Sequence, residues 1–290
     1  MRILITGSQG QVGQKLTQQL IGQAEVLSVD KSELDITDQQ AVIHTVTQFE
    51  PHVIINAAAY TAVDKAEEQV ELSNSINRDG AKYLAIAAQS VNAALLHIST
   101  DYVFAGDKVE PYKEGETPCP QGAYGQSKLA GEKAVMSHCS KHIILRTAWV
   151  FAEHGNNFVK TMLRLAKERD TLNVVNDQFG GPTYAGDIAT TLITMAKRIY
   201  QDDDVPYGVY HFAGAPYVSW YEFAQCIFHQ AYQQGVISKQ PQVNAISTSQ
   251  YPTPAKRPNN STLCTSKIEL TLGLKASDWQ AALTQLNQYE

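Results

Sequence analysis

The chain has 290 residues, 43% of them hydrophobic and 18% charged, with a formal net charge of −6. That length suits one large domain or two modest ones that bury a core without staples, and the apolar share excludes a disordered chain. The acidic balance and the lack of any basic run argue against a nucleic-acid partner. Cys119, Cys139, Cys226 and Cys264 form no C-x-x-C pair, which fits a reducing, cytoplasmic setting. The N-terminus turns polar after five residues, unlike a signal peptide, and the longest apolar stretch, 53–59, is broken by Asn56. No membrane partner is therefore expected.

Taken in order, the first half alternates short β-rich runs with helical patterns. Residues 2–6 read as a strand, and Val12, Leu16 and Leu20 form one stripe of a helix over 11–20. Strands follow at 25–29, 53–55, 94–98 and 142–146, separated by helices at 38–49, 67–90 and 123–139. Repeated β-α-β units predict a parallel sheet with helices on both faces. Beyond Trp149 the rhythm loosens, with helices at 158–168 and 186–200 and strands at 173–175 and 209–212. Ser219 and Glu222 have capping-box spacing for a helix reaching 234. Residues 235–265 carry four prolines and read as ordered loop, before a final helix near 278–288. The fold class is thus α/β: a Rossmann-type doubly wound parallel sheet with a smaller C-terminal α/β substrate domain. The expected division is 1–150 for the dinucleotide and mainly 151–290 for substrate, with segments near 184–212 returning to the first domain.

The first strand runs into Gly7-Ser-Gln-Gly10-Gln11-Val12-Gly13 and then a helix. Glycines there let the backbone turn tightly and approach a pyrophosphate, and the helix N-terminus supplies free N–H groups and positive potential. An ordinary glycine-rich turn is the plainer reading, but the placement between strand and helix favours a dinucleotide. Asp30 ends the second strand, where an acid accepts hydrogen bonds from ribose hydroxyls. An acid there repels a 2′-phosphate and Lys31 attracts one, so NADH and NADPH both stay open. Asp35 and Ile36 are placed to flank the adenine, and the small residues after Asn56 keep the chain close to the cofactor.

Tyr124-Gly-Gln-Ser-Lys128 places a phenol and an ammonium on one helix face. It follows a strand ending in Ser99-Thr100-Asp101, and ligands of open α/β sheets sit at the C-terminal ends of strands. A ketone reduced by hydride needs a proton on its oxygen. Near pH 7 a tyrosine gives that proton up at a penalty of roughly 4 kcal/mol, which a neighbouring lysine cation reduces. A threonine hydroxyl can hydrogen-bond the same carbonyl. A solvated Tyr/Lys pair is the plainer reading and is disfavoured by the glycine turn upstream.

With these residues in view, the chain resembles the extended short-chain dehydrogenase/reductase superfamily from end to end. The matching stretches include Asn56–Glu67, Asn77–Gly80, Ser99–Phe104, Tyr124–Glu132, Arg146–Phe151, Gly155–Phe158, Asn176–Thr183 and Tyr251–Ser261. Within that superfamily it looks most like the reductases that complete dTDP-L-rhamnose from dTDP-6-deoxy-L-lyxo-4-hexulose. The resemblance implies Thr100, Tyr124 and Lys128 as the catalytic triad. It implies Gly7, Gly10, Gln11, Val12, Gly13, Asp30, Asp35, Ile36, Ala58, Ala59, Tyr60 and Thr61, with Tyr124 and Lys128, as cofactor contacts. Thr100, Asp101 and Trp149 match sugar-holding positions, and Asn156, Asn157 and Arg257 are candidates for the nucleotide diphosphate. Some relatives are metal-assisted dimers, but the matching positions here are Gln14-Lys15, Gly186 and Gln288. Without acids there a Mg²⁺ site lacks its hard oxygen ligands, so no metal is expected and monomer or homodimer stays open. Two other readings remain: a non-catalytic dinucleotide-binding subunit resembling methionine adenosyltransferase β, and a reductase or epimerase for another nucleotide sugar.

Overall fold

In the computed structural model, which describes residues 1–201 and 206–289, six parallel strands form the central sheet. β1 (Arg2–Thr6), β2 (Glu25–Val29), β3 (Val53–Asn56), β4 (Ala94–Thr100), β5 (His142–Thr147) and β10 (Gly208–His211) stand in the order β2-β1-β3-β4-β5-β10. Every pairing in that sheet is parallel. β3 is buried at all four positions, as its unbroken apolar run requires in a sheet covered on both sides. The chain reverses direction across the sheet between β1 and β3, which opens a crevice at their C-terminal ends.

α1 (Gln11–Gln19) and α8 (Ala185–Gln201) cover one face, packing Leu16, Ile188 and Leu192 against Ile3 and Ile5. α2 (Gln39–Phe49), α5 (Ala81–Ser90) and α6 (Ala123–His138) cover the other through Val42, Leu84 and Val135. Asp38 caps α2 by accepting from the amides of Gln40 and Ala41. A separate core forms around Phe151, Val159, Leu163, Phe223, Phe228 and Trp279. It joins α7 (Phe158–Glu168) and α9 (Trp220–Gln233) to the parallel pair β7 (Thr171–Val175) and β12 (Gln242–Ile246). The capping box at Ser219 and Glu222 is present.

Three local features differ from the sequence expectations. The helix expected over 67–90 starts as α4 (Val70–Asn74), winds into a π-turn over 75–80, and resumes as α5. A short α3 (Val63–Ala66) precedes it. Residues 235–265, expected as loop, contain β12, whose half-exposed polar alternation along β7 lacks the apolar run of a central strand. The final helix is four α-helical residues, Trp279–Ala282, continued as a 3-10 helix.

Candidate active site

The glycine turn is built by close approach. Gly7 lies at φ +72°, and a Cβ there would stand 2.6 Å from the Ala58 nitrogen. A Cβ on Gly13 would stand 2.1 Å from the Gly7 carbonyl oxygen. Glycine at both positions is what lets helix, turn and β3 loop converge. Gly10 is the N-cap of α1 with no side-chain cap. The first intrahelical bond runs from Gln14 N–H to the Gly10 carbonyl, so the amides of Gln11, Val12 and Gly13 are without helical acceptors, as an anion site requires.

A cleft opens beside this turn, lined by Gly7, Gly10, Asp30, Asp35, Ile36, Ala58 and Ala59, with Lys31, Leu34, Ala57 and Ile76. Its lining sets bare backbone at the glycine turn beside an acid at the end of β2, the chemistry that suits a pyrophosphate and a ribose. The Asp35 carboxylate accepts from the amide and hydroxyl of Thr37, which hold it below the usual carboxylate range. Tyr60 and Thr61 stand outside that lining. The Tyr60 amide and carbonyl are both held by the Asn77 side chain, and its hydroxyl donates to Gln69. Thr61 is exposed.

Helix α6, which carries Tyr124 and Lys128, starts at Gly122, which has no side chain to cap it. The Glu67 carboxylate takes that place, accepting from the Ala123 amide at 2.9 Å, a favourable charge at a helix N-terminus. Tyr124 and Lys128 then lie one turn apart on the buried face, 9% and 2% exposed. Thr100 ends β4, where its hydroxyl accepts from the Tyr102 amide at 3.2 Å and donates to Asp101 at 3.0 Å. Burial pushes the Tyr124 phenol well above its ordinary range, against the opposing hydrogen bond of Thr100. Burial also pulls Lys128 down to about 8, with Glu132 opposing. Its ammonium donates to the Ile98 carbonyl at 2.7 Å. Asp101 is raised to about 6 by burial, against hydrogen bonds from Ser261 and Thr100. Its Oδ2 is buried without a hydrogen-bond partner among the described residues.

Trp149 lies just beyond the end of β5. It adopts φ +49° and stacks on Trp220 with ring centroids 3.4 Å apart. A Cβ on Gly180 would stand 2.4 Å from its indole, so the Asn176–Thr183 stretch makes room for the ring. Arg257 donates to Tyr102 Oη at 3.0 Å and to Asp64 at 2.5 Å, and Tyr102 meets the Tyr124 ring edge-on at 5.5 Å. Arg257 thus stands one side chain away from the phenol. The Asn157 amide is engaged within the chain. It caps α7 at Lys160 and donates to Gln11 and to the carbonyls of Ala152 and His154. Asn156 is exposed on the same loop, which the Gln11 contact fastens to the start of α1.

Sequence reasoning assigned no role to Asn77, Glu67 or Asp64. Asn77 holds Tyr60 and donates to Ser127 of α6, and its own carbonyl lies where a Cβ on Gly131 would be 2.1 Å away. The π-turn that carries it is the kind of helix defect that accompanies functional sites. The matching stretches contained all three residues, but nothing local distinguished them from surface polar groups. Among the described residues no cluster of three or more His, Cys, Asp or Glu could hold a metal ion. The Lys15 ammonium is paired with Glu153, and Tyr184 donates to the same carboxylate.

The family model described as RmlD substrate binding domain matches residues 1–289. The dTDP-4-dehydrorhamnose reductase of Aggregatibacter actinomycetemcomitans is 53% identical over 99% of both chains. That of Escherichia coli K12 is 41% identical over 99% of this chain and 97% of its own. The crystal structure of the Clostridium acetobutylicum dTDP-4-dehydrorhamnose reductase superposes with a TM-score of 0.91 at 43% identity, covering 98% of each chain. The Bacillus anthracis reductase, solved in complex with NADP, gives 0.90 at 40% identity over 97% and 96%. With likeness of that degree along its whole length, the chain belongs to the dTDP-4-dehydrorhamnose reductase family.

Proposed function

We propose that this chain reduces the 4-keto group of dTDP-6-deoxy-L-lyxo-4-hexulose to the hydroxyl of dTDP-L-rhamnose, using NADH or NADPH. The observation that carries the reading is the burial of Thr100, Tyr124 and Lys128 at the C-terminal end of β4, with the Thr100 hydroxyl bonded to the Tyr124 phenol and Lys128 donating to the Ile98 carbonyl, together with the cleft at the glycine turn. The cofactor would supply the hydride. Tyr124 gives its phenolic proton to the developing C4 alkoxide, and Thr100 donates a hydrogen bond to the same oxygen. Lys128 supplies the positive charge that makes the resulting tyrosinate tolerable, which matters more here because burial alone holds the phenol protonated. Gln11, Val12 and Gly13 amides take the pyrophosphate and Asp30 the adenosine ribose, with Asp35, Ile36, Ala58 and Ala59 shaping the cleft.

Asp101, through its unpartnered Oδ2, and the Trp149 ring hold the sugar in this reading. Arg257 takes the diphosphate, exchanging Asp64 for phosphate oxygens. Residues 1–150 serve the cofactor and 151–290 mainly the substrate, with α8 and β10 belonging to the first unit because they pack in the central sheet. No helix among the described residues is long and apolar enough to cross a membrane. Cytoplasmic residence fits the four free cysteines, and a monomer or homodimer fits the family.

The test is oxidation of NADH and NADPH at 340 nm with freshly generated 4-keto substrate, for wild type and Tyr124→Phe. Turnover by wild type with a loss of order 10²-fold or more in the variant supports both substrate and proton donor. Cofactor binding without turnover points instead to the regulatory-subunit reading or to another nucleotide sugar.

A further inference from the structure

A row of buried polar side chains crosses the sheet beneath α6. Glu132 follows Lys128 by one turn and is fully buried. Its carboxylate accepts from Ser99 Oγ at 2.5 Å, from Arg146 Nε at 2.9 Å and from Arg146 Nη2 at 2.7 Å. Ser99 and Arg146 are direct partners in the β4–β5 ladder. One carboxylate therefore fastens the helix to both strands, at the residue next to the Ile98 carbonyl that receives Lys128.

The other groups around the ammonium are neutral or distant from it in the row. Asn56 Oδ1 accepts from Thr6 and Ala58, so its Nδ2 donates to His97 Nδ1 at 3.0 Å. His97 is then the uncharged Nε2–H tautomer, kept so by burial and by Lys128 itself. On the far side, His211 Nδ1–H donates to the Tyr112 carbonyl, leaving Nε2 as acceptor toward Arg146 Nη1 at 3.5 Å. Burial and Arg146 hold His211 neutral. Ser73 and Asn77, from the α4 and π-turn side, bring only uncharged groups to Ser127. Tyr124 lies one turn before Lys128, with Asp101 beyond it next to Thr100. Glu132 is thus the anion nearest to Lys128 along the helix, and Arg146 is the cation paired with its carboxylate.

We propose that Glu132 and Arg146 are positioning residues for the reduction: the carboxylate keeps Lys128 cationic under Tyr124, the guanidinium limits that field, and Ser99 bolts the pair in place. This rests on the reading of Tyr124 and Lys128 as the proton-donating pair. The two charges act in opposite senses, which a merely structural role would not produce. Removing Glu132's charge lets Lys128 lose its proton at lower pH, and removing Arg146's charge does the reverse.

The experiment is the pH profile of kcat/KM between pH 6 and 10 for wild type, Glu132→Gln, Arg146→Gln, the double variant, Ser99→Ala and Tyr124→Phe, with circular dichroism on each. The expected result is an alkaline limb about one pH unit lower in E132Q, higher in R146Q, and near wild type in the double variant. Limbs that stay put, or that move the same way in both single variants, overturn the proposal. If neither single variant folds, S99A decides. Losing the hydroxyl donor sharpens the carboxylate's charge and raises the limb by a few tenths of a unit, and an unmoved limb overturns the proposal. Full turnover by Tyr124→Phe is a different failure: it removes the proton-donor reading on which the inference stands.

Discussion

Lys128 carries a positive charge in a place that disfavours one, and its replacement by methionine separates activity from stability. The ammonium ordinarily loses its proton at 10.5 and does so at about 8 in the folded protein. Keeping it charged at pH 7 therefore costs the fold about 3 kcal/mol relative to the unfolded chain. The folded value lies below the unfolded one, so the unfolded chain binds more protons between them. Stability from this group accordingly rises as pH climbs from 8 toward 10.5, and the penalty falls to about 2 kcal/mol at pH 9 and about 1 kcal/mol at pH 10. Lys128→Met keeps the length of the chain and removes the charge, while leaving the Ile98 carbonyl without its donor at about 1 kcal/mol. The variant should be about 2 kcal/mol more stable than wild type at pH 7, which is about 4 °C in Tm. That gain should be gone by pH 10, and turnover should drop 10²-fold or more at every pH. Thermal unfolding followed by fluorescence at pH 7, 8, 9 and 10 gives the comparison. A stability difference that does not change with pH would refute the buried-cation argument, whatever the activity does.

Asp101→Asn should likewise stabilise the free protein at pH 7, by up to about 3 kcal/mol. The Asp101 carboxyl is raised to about 6 in the fold, so the wild-type handicap vanishes as pH falls through 6 to below 4; thermal unfolding across that range checks it. Gly13→Ala drives a methyl into the Gly7 carbonyl and should weaken cofactor binding at least tenfold while destabilising by about 1–3 kcal/mol, read by cofactor fluorescence titration and denaturant unfolding. Gly180→Ala displaces the Trp149 indole and should raise the KM for the nucleotide sugar with cofactor Kd unchanged; equal changes in both would remove Trp149 from the sugar side. Arg257→Ala should raise the same KM at least tenfold with little effect on the cofactor, since Arg257 bonds Asp64 and Tyr102 rather than any residue of the dinucleotide cleft.

The parts of this site legible in the sequence are those where one residue type answers one local demand. Gly7 and Gly13 are required by backbone packing at 2.6 and 2.1 Å, and the glycine pattern announces them. Tyr124 and Lys128 declare themselves through helical spacing next to a strand end. What stayed hidden depends on partners far along the chain. Glu67 caps α6 across 56 residues, Asn77 holds Tyr60 and Ser127 from inside a π-turn, and Asp64 meets Arg257 across 193 residues. A carboxylate or amide of that kind looks like solvated surface until the fold supplies its donor. Asn157 adds a partner of the same hidden kind: its side chain caps α7 and donates to Gln11 across 146 residues.

The same contrast explains how the site is held. Nothing in the dinucleotide turn needs a distant partner, because glycine, helix N-terminus and strand end act through backbone alone. Tyr124 and Lys128 sit on a helix whose start is capped by Glu67 and whose middle is tied down by Glu132. Both anchors are carboxylates, one at the positive end of the helix and one beneath its cation. A helix with so little amphipathic bias, buried at Tyr124, Ser127, Lys128 and Glu132 alike, is not held by apolar packing alone. Hydrogen-bonded charge takes over part of that task, and the buried Arg146–Glu132 pair serves specificity of position more than net stability. If Tyr124, Lys128 and Thr100 act as proposed, the arrangement accepts a few kcal/mol of desolvation so that the phenol, the ammonium and the threonine hydroxyl stand in one place before substrate arrives, which is what a proton transfer timed to hydride delivery demands.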